Sequence, residues 1–281
     1  DAAVRADTNV QTSSPQQSTV IVEGGSTDGA WQTNSAESAP LVAMGGTHTA
    51  DVVEFLADGY TLTENDEGGY TVQENQAVQI GDHYYGTLER ALANASAGET
   101  VKLLANVELT ETLDVTAAGV TLDLNGKTIS GSISSTGLIR VMDGASLTVT
   151  DLGGSETKGV ITNTASSLPY CLRMEEGSSL TLEGGVNIAD AGGSTSGAAV
   201  YVHPNTSGTN LPVLTVRDAN LTSEKGYPVQ GRSSFYAATV NIEGGYFAAA
   251  GKTATTSVCN KFAAGTVTLS GGTFANWNST T

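Results

Sequence analysis

The sequence predicts an all-β protein, a three-sided parallel β-helix in which short strands stack coil upon coil. Three observations carry that expectation. Six segments share one apolar, polar, apolar pattern: Val120-Thr121-Leu122, Leu147-Thr148-Val149, Leu180-Thr181-Leu182, Leu214-Thr215-Val216, Val240-Asn241-Ile242 and Val267-Thr268-Leu269, with starts 27, 33, 34, 26 and 27 residues apart. A helical repeat would space its apolar residues by three and four, so the alternation reads as strand. The last five copies are each preceded by a second apolar run: Leu138-Ile139-Arg140-Val141, Cys171-Leu172-Arg173-Met174, Ala199-Val200-Tyr201-Val202, Tyr227-Pro228-Val229 and Val258-Cys259. A third, shorter run follows, such as Val160-Ile161 or Asn187-Ile188. Finally, 34 Gly residues include pairs after the repeat, as in Glu183-Gly184-Gly185, Glu243-Gly244-Gly245 and Ser270-Gly271-Gly272, where a chain can turn a sharp corner. Three strands and three corners in about 27 residues make one coil, and stacked coils lie about 4.8 Å apart. A single coil cannot bury enough apolar surface to offset its ordering entropy, so stability belongs to the array.

The elements before the repeat follow in order. Residues 1–47 are expected to be a flexible or loosely ordered leader, because Thr12-Ser13-Ser14-Pro15-Gln16-Gln17-Ser18-Thr19 lacks apolar density; the alternative is a short strand at Val20-Ile21-Val22. Residues 48–76 read as a small β-hairpin module, two β-rich runs about the turn Asn65-Asp66-Glu67-Gly68-Gly69. The β-helix is expected over 77–281. A solenoid exposes unpaired strand edges at its ends, so a cap is needed. Apolar residues at 88, 91, 92 and 95, with Thr87 as N-cap and Gly98 as stop, predict a capping helix over about 87–97 that buries Leu88 and Leu92 on the first coil. At the other end Phe274 and Trp277 carry no matching cap, so the expectation is either further chain or a pairing partner.

Charge narrows the partners. Twelve Lys and Arg against 29 Asp and Glu give a net −17, which repels polyanions and makes nucleic acid a poor ligand. The acidity is uneven: residues 1–76 carry twelve acidic groups and one basic group, a net −11, and the remainder a net −6. No apolar run approaches the roughly 18 residues of a membrane span, so no membrane insertion is expected within this stretch. The opening Asp1-Ala2-Ala3, without Met, reads as a mature or trimmed chain.

Tyr85-Gly86-Thr87-Leu88-Glu89-Arg90-Ala91-Leu92, then Gly98-Glu99-Thr100-Val101-Lys102-Leu103-Leu104, then Val120-Thr121-Leu122-Asp123-Leu124-Asn125-Gly126-Lys127-Thr128-Ile129 resembles the opening of pectin-lyase-like right-handed parallel β-helix regions. Such regions belong to secreted and cell-surface proteins of Gram-positive, often gut-dwelling, bacteria. Phe55-Leu56-Ala57-Asp58-Gly59-Tyr60 and Gly69-Tyr70-Thr71-Val72 resemble the small β-module that often precedes them. The resemblance spans about residues 50–276. It implies a right-handed helix, an extracellular address and a glycan or host glycoprotein as partner. It does not fix an activity, since this fold carries lyases, hydrolases, epimerases and adhesins.

An activity must therefore rest on individual residues. The Asn-Thr-Asp, Asp-Asp and Gly-His-Gly motifs typical of hydrolases of this fold are absent. Asp143 and Glu176 occupy matched positions before Gly144 and Gly177, with Glu175 beside them; they are an acid pair, a Ca²⁺ site, or solvated corner carboxylates. An enzyme would use Asp143, Arg173 and Glu176; otherwise there is no catalytic residue and no cofactor. The same alignment stacks Arg140 under Arg173, with Tyr201 and His203 in the next coil and the insertion Pro204 to Pro212 after them. This column is either a binding face for an acidic glycan, since guanidinium forks suit carboxylate and sulfate, or a column paired to nearby carboxylates. The three His residues, 48, 83 and 203, show no metal spacing. Cys171 and Cys259 sit on equivalent strands three coils apart, about 14 Å, and are expected as buried free thiols; a bridge would show the register to be wrong. Glu183, Arg217 and Glu243 should form an outward ladder of alternating charge. The Thr column, whose neighbours are uneven and charged, is explained by β-propensity. The reading is a non-catalytic adhesin, binding or spacer module, with a polysaccharide lyase or hydrolase as the alternative.

Overall fold

The computed structural model describes residues 4–6, 19–33, 41–153, 157–204, 210–250 and 259–277. Contacts divide the chain into two compact units, residues 1–77 with 84–87, and residues 78–83 with 88–281.

The larger unit is a parallel β-helix. One face stacks Thr100–Leu103, Val120–Asp123, Ser146–Thr150, Ser179–Leu182 and Val213–Val216, all parallel, with Thr121 opposite Thr148, Thr148 opposite Thr181, and Thr181 opposite Thr215. Asn241 and Thr268 continue that column, as the repeat predicts. The second face is a seven-stranded ladder running from Val107–Leu109 to Thr273–Trp277. The third stacks Leu113–Val115, Ile139–Val141, Tyr170–Met174 and Ala198–Val202. Inward residues sit one above another: Ile129, Ile161, Ile188, Leu221 and Phe247 form one fully buried file, each opposite the next. Each such side chain removed from water contributes about 1.5–3 kcal/mol, and the file keeps the coils in register because a one-residue slip would turn it to solvent.

Two details depart from the expected short strands. Tyr227–Ile242 is one continuous strand that pairs with the third face through Val229 and with the first through Val240, so the corner there is absorbed into the strand. Cys259–Leu269 follows it, with register shifts between Gln230 and Ser233 and between Ser233 and Ala237. The edge of the first coil is also closed twice. Val78–Ile80 pairs antiparallel with Thr100–Leu103, and the helix Leu88–Asn94, shorter than expected, buries Leu88, Ala91 and Leu92 against both strands.

Corners behave as the Gly pairs suggest. Gly184 and Gly185 have φ of +74° and +78°, and a Cβ on Gly184 would lie 2.6 Å from Thr150 Oγ1, so no other residue fits without displacement. Outside this turn the charge ladder forms: Arg217 donates to Glu183 Oε2 at 2.9 Å and lies 3.4 Å from Glu243 Oε2. Cys171 is a buried free thiol whose pKa burial pushes up. Cys259 is three rungs from Leu172 by backbone register; its side chain and Val258 lie outside the described residues.

In the smaller unit the alternative strand at Val20-Ile21-Val22 is present and pairs parallel with Leu41–Ala43, as Ser26–Thr27 does with Gly46–His48 and Val4–Ala6 with Trp31–Thr33. Residues 1–3, 7–18 and 34–40 of the expected leader lie outside the described residues. The hairpin joins Tyr60–Glu64 to Tyr70–Glu74, its turn fixed by Asn65, whose side-chain oxygen accepts from Glu67 N and Gly69 N. Trp31, Leu41, Ala43, Val52 and Val72 form this unit's core.

Candidate functional site

The third face carries the residues singled out above. Its outward column runs Asp114, Arg140, Arg173, Tyr201 and Gln230, each opposite the next, so the predicted stacking of Arg140 beneath Arg173 and Tyr201 is what the register gives. Alternation puts these residues outward because their neighbours, Ile139 and Val141 or Leu172 and Met174, are fully buried.

Each arginine is answered by a carboxylate. Arg140 forms a two-pronged pair with Asp114, Nε to Oδ1 at 2.8 Å and a second nitrogen to Oδ2 at 2.6 Å, and that hydrogen bond raises its pKa further. Arg173 Nε donates to Glu175 Oε1 at 2.7 Å, another guanidinium nitrogen donates to the Ser135 carbonyl at 2.8 Å, and the third lies 3.0 Å from His203 Nδ1. His203 Nδ1 is also 3.1 Å from Glu175 Oε2. Glu175 is thus the hub. Burial pushes its carboxyl up, but the His203 hydrogen bond and the Arg173 charge outweigh that and hold it below its ordinary value. The Tyr170 and Tyr201 rings stack at 4.1 Å with 11° between planes, and Arg173 Cζ lies 6.0 Å from the Tyr201 centroid. Burial raises the pKa of both phenols.

The cluster is closed rather than open. Tyr201 is only 9% exposed, and the side chains of Arg173 and His203 are 15% exposed. Residues 205–209 of the expected insertion lie outside the described residues.

Of the carboxylates expected as an acid pair or Ca²⁺ site, Asp143 accepts through Oδ1 from Asn210 Nδ2 at 3.3 Å, and Glu175 is engaged with Arg173 and His203. Among the described residues no group of three or more His, Cys, Asp or Glu could hold a metal ion. No helix among the described residues is long and apolar enough to cross a membrane.

Asp114 was not among the residues expected here, and Glu175 was expected as a Ca²⁺ candidate rather than as the partner of Arg173. Asp114 could have been found by extending the repeat one coil toward the N-terminus, where Leu113-Asp114-Val115 matches Ile139-Arg140-Val141. Glu175 lies two residues after Arg173, hence on the same side of the chain, but its neighbour Glu176 carries the same charge and hides which one meets the guanidinium. What fold and site define is a parallel β-helix with a self-paired polar column. Comparison with protein-family models, with curated proteins and with solved structures finds no match for this chain.

Proposed function

We propose that the chain is a non-catalytic module of a secreted or cell-surface protein, a stiff acidic β-helix serving as a binding or spacer segment toward glycan or host glycoprotein, as in the pectin-lyase-like regions it resembles. One observation carries the non-catalytic part: the polar residues that the column brings together pair with one another. A lyase base or a hydrolase acid must meet substrate with pairing capacity to give, whereas Arg140 and Arg173 are matched to Asp114 and Glu175 within hydrogen-bond distance. Parallel ladders supply the other part, because they hold outward side chains in straight columns whose geometry needs no ordering on contact.

The test is incubation with acidic polysaccharides, with and without Ca²⁺, alongside binding to mucin and immobilised glycans. The expected result is binding without turnover. New reducing ends or unsaturated uronates, lost in Asp143→Asn, Arg173→Ala or Glu176→Gln, would instead establish the lyase or hydrolase.

A further inference from the structure

The outer surface of the second face holds a groove of about 390 Å³, within the range of ligand pockets, and the Arg173 cluster takes no part in it. Its floor is low because three successive rungs place small residues outward: Ala189 opposite Thr222, and Thr222 opposite Ala248. Tyr246, two residues before Ala248 on the same strand, bounds the groove and is 39% exposed, while the next ring along, Phe247, is fully buried. An exposed tyrosine ring beside a shallow floor offers a π face to the C–H face of a sugar ring or to a cation.

Charge decides which ring fits. Among the described residues, the only charged ones lining the groove are Asp190 and Glu224, on adjacent coils whose backbones join through Glu224 N and Asp190 O at 2.8 Å. Lys225 follows Glu224 but is not among the lining residues. Burial pushes the Asp190 carboxyl up to about 6 against its hydrogen bonds from Ser223 and Gly192, and the Glu224 charge adds to the rise. An anionic uronate is therefore repelled, and a positive charge relieves the crowding of two carboxylates.

We propose that this groove binds an amino-sugar residue of a glycan, the pyranose face lying on Tyr246 and the ammonium meeting Glu224. This deepens the glycan-binding reading and rests on it. It also moves the contact from the arginine column to the second face and reverses the charge of the expected glycan.

Calorimetric titration of the whole chain with a fully deacetylated glucosamine trimer, its N-acetylated counterpart, polygalacturonate and trilysine tests it. The deacetylated trimer should bind at least tenfold more tightly than the acetylated one, and Tyr246→Ala and Glu224→Gln should each weaken it about tenfold. Both positions are surface-exposed, and circular dichroism of each variant checks that the fold is intact. Trilysine binding as tightly and with the same Tyr246 dependence would overturn the amino sugar in favour of a basic peptide. Binding of any of these glycans that Tyr246→Ala leaves unchanged would overturn the groove while leaving the glycan-binding reading standing. No binding by any probe would overturn the groove, and the mucin and immobilised-glycan assay then judges the broader reading separately.

Discussion

Arg173, in the strand Tyr170–Met174, and Glu175, just past its end, close a 2.7 Å ion pair whose side chains are only 15% and 9% exposed. Because the pair is largely out of water, removing one partner leaves the other charge with poor compensation. Glu175→Gln is expected to cost about 3 kcal/mol, read as a fall in the urea midpoint. The double replacement Arg173→Met with Glu175→Leu should recover part of that loss, since replacing both ions of such a pair by apolar groups is often close to neutral. The pH dependence has a defined sign. The folded state holds the Glu175 carboxyl below its ordinary value of 4.5, so its stabilisation is present above that pH and fades as pH falls through the folded value. Wild type should lose stability on acidification more steeply than Glu175→Gln does.

Asp190 should behave in the opposite way. It is 2% exposed, accepts from Ser223 Oγ at 2.6 Å and from Gly192 N at 3.0 Å, and its pKa is pushed up to about 6 from 3.8, chiefly by burial. Between those values the folded state binds more protons than the unfolded chain, so stability is highest at low pH and declines as pH rises from about 4 to about 6. Two pKa units correspond to roughly 3 kcal/mol at neutral pH. The preceding coil supplies the remedy, because Asn163 occupies the same column and bonds the Ala165 N–H two residues on, as Asp190 bonds Gly192. Asp190→Asn is expected to raise the neutral-pH urea midpoint and to flatten the pH profile between 4 and 6; a variant less stable than wild type at pH 7 would contradict it.

The same two columns show what the sequence disclosed and what it concealed. The file Ile129, Ile161, Ile188 and Leu221 was legible because one side-chain class recurs at coil spacing, and the pairing of the strands follows from it. The corner column Asn163, Asp190, Ser223 was not, since three residue types do the same job of bonding corner backbone and no repeat of letters reveals it. Arg140 over Arg173 was legible as placement. Pairing to nearby carboxylates was legible as one of two readings, but the Ser135 carbonyl that also holds Arg173 was not, because it reaches the guanidinium from 38 residues away across a corner. Val78–Ile80 was missed for a simpler reason: three alternating residues that pair antiparallel sit outside the coil period.

Exposed pairs should matter far less. Arg217 bridges Glu183 and Glu243 on successive coils, yet its side chain is 55% exposed and solvent screens the attraction. Arg217→Ala is therefore expected to leave the urea midpoint almost unchanged, with the residual effect vanishing in high salt. A large loss, persisting at 1 M salt, would mean that the arginine stem rather than its charge supports the turn.

In the smaller unit a chain of donors, part-buried to buried, fixes a histidine's proton. Trp31 Nε1 lies 3.1 Å from Thr27 Oγ1 and can only donate to it. The Thr27 hydroxyl keeps its own single proton for His48 Nδ1, 2.7 Å away, so Nδ1 is the bare acceptor. The ring proton then sits on Nε2 and goes to the Gly45 carbonyl at 3.1 Å. His48 itself is 2% exposed, so its ring is largely out of water. Nitrogen NMR of the imidazole at neutral pH should report a protonated Nε2 and an unprotonated Nδ1. Thr27→Val preserves shape but strands the Trp31 donor and the His48 acceptor, each costing about 1–3 kcal/mol, so this unit should melt first in that variant. Thr27→Ser keeps the hydroxyl and should restore most of the loss. If valine were tolerated as well as serine, the chain of donors would have no structural weight.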